Sequence, residues 1–158
     1  MKPIYDEIVK FMNDYFNTYN TYAQNEKTVH RMDDYYMPDV VFVPYVAAFG
    51  GPKNALTKRE DFYRTFIDHP TRYEQFEGYE IAVDERKMIA MALIHVALFE
   101  SGTDRELLKK HYLVQYHLRL DDENKLKIKK ILYFWETLAP ELDAEYGVEN
   151  LEVLKRGR

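Results

Sequence analysis

The chain has 158 residues, a formal net charge of −5 and no cysteine. That length suits one domain that buries a sizeable core without covalent staples. The absence of cysteine excludes disulfides, thiolate metal sites and a cysteine nucleophile, and the acidic balance offers nucleic acid no long-range attraction.

The first ten residues carry Asp6 and Glu7 among apolar residues instead of a basic stretch followed by an apolar run, so they do not read as a signal peptide. The longest apolar run, residues 88–99, is interrupted by His95 and is too short for a bilayer. The expectation is a soluble, cytoplasmic protein with neither a membrane nor a nucleic-acid partner.

Ile4, Ile8, Phe11, Met12, Tyr15, Phe16, Tyr19 and Tyr22 recur at three and four, which predicts a long amphipathic helix over residues 3–23, with Pro3 in its first turn. A second helix follows over about 26–36, burying Val29, Met32 and Tyr36 and stopping before Pro38. Val40 to Val43 form a β-branched run, and Pro44 limits this strand to an edge or bulge. Gly50 and Gly51 open a loop, after which Thr57 and Glu60 make a capping box for a helix carrying Phe62, Phe66 and Ile67. Four long strands are then expected at about 72–83, 87–100, 106–120 and 125–138, separated by polar turns. Lys125, Lys127, Lys129 and Lys130 alternate in part with Leu126, Ile128 and Ile131, which reads as a solvated strand face. Beyond Pro140 a helical extension is expected over about 140–156. No repeat or linker appears, so 1–158 is read as one domain with its core at about 4–138.

Two segments resemble a known superfamily: Tyr36-Met37-Pro38-Asp39-Val40-Val41-Phe42 at the entry to the first strand, and Lys125-Leu126-Lys127-Ile128 with Tyr133-Phe134-Trp135-Glu136 in the last. Together with the element order, they resemble the nuclear transport factor 2-like superfamily, which includes the SnoaL-like, scytalone dehydratase-like and ketosteroid isomerase-like proteins. The resemblance implies an α+β fold in which a curved antiparallel sheet wraps the N-terminal helices into a cone, with the ligand pocket inside.

Pairing the third and fourth of the five expected strands puts His95 opposite His111 or Tyr112, depending on a one-residue register. Lys109 and Arg119 suit an outer face, so the alternate set Tyr112, Val114, Tyr116 and Leu118 is assigned inward, leaving His111 and His117 as surface histidines. His95 is the candidate proton-transfer group, because imidazole titrates near neutrality, and it faces the cavity only if the third strand's register turns it inward. The resemblance implies a role for Glu136 as an acid near the end of the final strand and for Tyr15 and Tyr45 as cavity tyrosines. It also implies that Asn20 and Gln75 stand where dehydratases carry an acid and a histidine. Amides bind ligands but do not exchange protons at neutral pH.

The catalytic candidates are therefore His95, Tyr45 and Glu136, and the ligand-binding candidates Tyr15, Asn20, Gln75 and Tyr116. No metal-ligand spacing is present, and no cofactor is expected. The composition, 14 Tyr against 9 Phe and a single Trp, fits a partly polar cavity as readily as a plain core. The function expected is binding of a small, largely apolar cyclic or polyketide-like molecule, with cofactor-free acid/base chemistry of lyase or isomerase type. The alternative is a non-catalytic ligand-binding or dimerisation module. A strand apolar on both faces, residues 88–99, predicts a homodimer covering the outer sheet.

Overall fold

The helical spacing at the N-terminus produces α1 over Tyr5–Thr18, whose inward stripe Ile8, Met12, Tyr15 and Phe16 is buried. The computed structural model describes residues 4–67, 69–138, 151–155 and 157. Ile4 has no capping side chain; Glu85 supplies the cap from a distant turn, its Oε2 accepting from Ile4 N (3.1 Å) and Tyr5 N (3.2 Å). The expected helix over 3–23 changes character after Thr18 and finishes as a π-helical turn at Tyr19–Ala23.

The second expected helix shrinks to a 3-10 helix at Val29–Asp34. The reason is competition from the sheet: Ile128 N donates to Tyr35 O (2.7 Å), and Tyr36 is already in β1, Tyr36–Pro44. Both prolines of that strand are tolerated because it is a sheet edge. The next helix, α2, covers Arg59–Ile67; Phe62 N donates to Lys58 O (3.1 Å), so the helix opens one residue beyond the expected Thr57 cap.

Four further strands follow, β2 (Arg72–Asp84), β3 (Ile89–Glu100), β4 (Glu106–Leu120) and β5 (Leu126–Leu138). These pair antiparallel in sequence, while β1 joins β5 in parallel. The sheet is therefore mixed, not wholly antiparallel as expected. Of the helical extension expected over 140–156, residues 139–150 lie outside the described residues, and Glu152–Val153 instead form a short strand, β6, on the free edge of β2. Gly78 makes this docking possible, since a Cβ there would meet the Glu152 carbonyl at 2.9 Å.

The resulting order is β1-β5-β4-β3-β2-β6, a curved, unclosed six-stranded sheet with α1 in its concavity. Phe16 packs on Phe76, Tyr79 and Tyr116, and Tyr15 on Tyr36 and Tyr116, so the helix fills one end of the cone. No helix among the described residues is long and apolar enough to cross a membrane.

Candidate functional site

At the other end the helices leave the inner sheet face uncovered, and a cavity of about 680 Å³ remains, within the range of roughly 300–1,000 Å³ usual for small-molecule sites. Its depth is apolar and aromatic, with Phe66, Phe76, Ile94, Val114 and Ile131 among its walls. Phe49, from the loop that turns at Gly50 (φ 80°) and Gly51 (φ 82°), forms part of the mouth.

Two β-bulges decide which side chains enter this cavity. Phe76 pairs with Val96 but Gly78 with His95, so Glu77 is an extra residue in β2. Tyr79, Ile81 and Val83 consequently share their face with Glu74 and Phe76, not with Gln75. In β5, Trp135 pairs with Leu113 and Tyr133 with Val114, leaving Phe134 extra and turning both Tyr133 and Glu136 inward. Glu74 and Glu136 thus reach one cavity, with Tyr112 between them.

Tyr19 and Tyr112 donate to the two oxygens of Glu74, at 2.7 and 2.8 Å. Tyr133 donates to Glu136 Oε2 (2.7 Å), and Lys110 Nζ stands 3.9 Å from Glu136 Oε1. Deeper in, Tyr15 and Tyr36 share a 2.6 Å hydroxyl contact. Burial, followed by the neighbouring Glu74 carboxylate, pushes Tyr19 and Tyr112 well above the ordinary phenol pKa. Burial and then neighbouring Tyr112 do the same for Tyr133. These hydroxyls are therefore fixed as neutral donors throughout the physiological range.

Glu74 is positioned by amides. Gln24 Oε1 accepts from Glu74 N (2.7 Å), and Gln24 Nε2 donates to Glu74 O. Asn20 repeats the pairing at Phe76, accepting from its N–H and donating to its carbonyl, both at 2.7 Å. The π-helical turn that carries Asn20 leads directly to Gln24, and together the two amides finish the free edge of β2 ahead of β6. π-turns of this kind recur at functional sites.

Of the residues expected from sequence, Tyr15, Tyr116 and Glu136 line the cavity. Asn20 and Gln75 are buried away from it: Gln75 Nε2 donates to Asn20 O (3.0 Å), and its Oε1 accepts from Gly157 N (2.8 Å). Tyr45 lies outside, half exposed and stacked on Phe134 with ring centroids 5.1 Å apart. His95 pairs with His111 in the odd register, which turns it to the outer face, where the two rings sit 4.0 Å apart. His111 is on that face too but fully buried, a correction to its reading as a surface residue. Glu74, Lys110 and Tyr19 are site residues that the sequence reading did not single out, whereas Tyr112 lies inward as alternation placed it. Among the described residues no three His, Asp or Glu side chains are grouped to hold a metal ion.

No protein-family model and no curated protein matches the sequence. Solved structures do match. A protein from Catenulispora acidiphila in complex with S-DNPA superposes with a TM-score of 0.57 at 15% identity, covering 90% of this chain and 98% of that one. BvnE pinacolase from Penicillium brevicompactum gives 0.57 at 14% identity over 84% and 85%. Nuclear transport factor 2 from Cryptosporidium parvum gives 0.55 at 14% identity over 84% and 95%. Likeness at this level establishes the fold: the chain has the nuclear transport factor 2-like cone.

Proposed function

We propose that this chain binds a small, largely apolar cyclic or polyketide-like molecule in the cone and moves a proton on it, as a lyase or isomerase acting through Glu74 and Glu136. The observation that carries the reading is that both carboxylates face one apolar cavity from either side of Tyr112. A carboxylate oxygen that accepts one tyrosine hydroxyl keeps further lone-pair capacity for a ligand. In an isomerisation, one carboxylate would take a proton from a carbon beside a carbonyl, and the acid so formed would return it to another carbon. In an elimination, the proton would pass to the departing oxygen as water leaves. The structurally similar proteins that hold a small molecule or are named as a pinacolase support a ligand-binding use of this cone.

Deuterium exchange tests the chemistry directly. Incubated in heavy water with a panel of cyclic β-diketones and β-keto lactones, the protein is expected to catalyse exchange at the acidic carbon of one of them. Glu74→Gln or Glu136→Gln should slow that exchange about a hundredfold. Unchanged exchange in both variants removes the proposed roles, and a loss in His95→Gln instead would return the chemistry to the outer-face histidine. A second reading, a non-catalytic ligand-binding module, is favoured by the prior engagement of Tyr19, Tyr112 and Tyr133 with the carboxylates. Ligand retention in native mass spectrometry without exchange of any panel member would support it.

A further inference from the structure

Lys110 is a cation of the cavity lining whose hydrogen bonding is incomplete. It occupies the inward position of β4 next beyond Tyr112 toward the mouth, and its side chain is only 25% exposed. The nearest carboxylate oxygen, Glu136 Oε1, is 3.9 Å away, beyond hydrogen-bond distance, while Glu136 Oε2 already accepts from Tyr133. Among the described residues nothing accepts from its three donors.

Arg72, on the inward column Arg72, Glu74, Phe76 of β2, is a second cation lining the cavity. Its cross-strand neighbour Glu100 is engaged elsewhere, accepting from Thr103 Oγ1 (2.6 Å) and pairing with Arg105 (3.5 Å). Among the described residues Arg72 has no ion pair. The cavity's carboxylates are in the opposite condition, since both oxygens of Glu74 and one of Glu136 already accept tyrosine hydroxyls. Lys110 and Arg72 therefore keep donor capacity toward the cavity, which an anionic ligand would fill with charge-assisted hydrogen bonds.

We propose that the cavity's ligand is an organic carboxylate, its acid group held at the mouth by Lys110 and Arg72 and its apolar ring body lying against Ile94, Val114 and Ile131. The proposal rests on the reading of the cone as a small-molecule site and adds the charge class of the molecule. Strand geometry sets its length: Lys110 to Val114 is four residues of β4, about 13 Å at the usual rise. That span suits a two- or three-ring acid. The reacting carbon of such a ligand would lie between the rim and the depth, at the level of Glu74, Tyr112 and Glu136.

Calorimetric titration with three neutral-bodied probes of one shape, naphthylacetic acid, naphthylacetamide and naphthylethylamine, tests this. The acid is expected to bind at least about tenfold more tightly than the amide, one charge-assisted contact being worth that much. Lys110→Met should remove most of this advantage and Arg72→Gln part of it, each lowering acid affinity by more than amide affinity. Lys110→Arg should retain it. Arg72 is exposed, so Arg72→Gln reads the charge effect even if Lys110→Met fails to fold. Equal binding of acid and amide overturns the anion proposal while leaving the small-molecule site standing. Tightest binding of the amine overturns it in favour of a cationic ligand, and binding of none of the three overturns both readings.

Discussion

Tyr19 and Tyr112, the two donors to Glu74, hold their protons well beyond the ordinary phenol range in the folded state. Burial is the first cause for both, and it also raises Tyr15, Tyr36 and Tyr116 well above the ordinary value and Tyr79 to about 12. A folded-state pKa above the unfolded one, near 10 for tyrosine, means that the folded protein holds the proton more tightly. The associated stability is complete below about pH 10 and is lost as pH rises from there toward the folded values, by up to about 1.4 kcal/mol per pH unit for each such group. Several groups act together, so a cooperative alkaline unfolding is expected soon above pH 10. Tyrosinate absorbance and far-ultraviolet circular dichroism should change in one step for the buried tyrosines. Buried tyrosines that titrate while the dichroism holds would contradict the burial account.

At the scale of elements, the strands and the two faces of β4 were legible, and the faces of β2 and β5 were not. Polar turns mark the strand limits, so β4 falls on the expected residues 106–120. Alternation read back from Tyr79, Ile81 and Val83 puts Gln75 inside and Glu74 outside, and the extra residue Glu77 reverses this. The available signal was Gly78, because a glycine within a strand pattern often marks a bulge or a close backbone approach. Nothing comparable announces the bulge at Phe134, where Glu136 entered the expectation only through the resemblance. The π-helical turn was also hidden, since the apolar spacing runs through Tyr19 and Tyr22 without a break. Its consequence is testable. Asn20→Ala leaves the Phe76 N–H and carbonyl, both bonded to the buried amide, without partners on that edge. Unfolding in urea should show a loss of about 3 kcal/mol, at the level of a buried polar pair left unsatisfied. A loss below about 1 kcal/mol would mean that water replaces the amide and that the strut is not what holds β2.

For the whole molecule, the outer sheet face raises the question of what covers it. Leu93, Leu113 and Trp135 are cross-strand neighbours in one row of β3, β4 and β5, and Trp135 is 39% exposed. The stacked rings of Tyr45 and Phe134 adjoin this row, and Leu138, 44% exposed, lies at the end of β5. Rows of apolar side chains on an open sheet are costly in water and are ordinarily closed by a second layer. Both faces of β3 are largely apolar, its inward set packing on α1 and the cavity and its outward Leu93 lying in this row, which the expectation for residues 88–99 anticipated. A second copy of the chain, related by a two-fold axis, would present the same row to itself, the self-complementary arrangement that homodimers use. Light scattering at micromolar concentration should then report twice the chain's 19.0 kDa mass. Leu113→Glu and Trp135→Arg, which charge the row without touching the cavity, should each shift the mass toward one chain while leaving the dichroism spectrum intact. A single-chain mass for the unaltered protein would exclude the dimer. Failure of both substitutions to dissociate a dimer would put the interface on another surface.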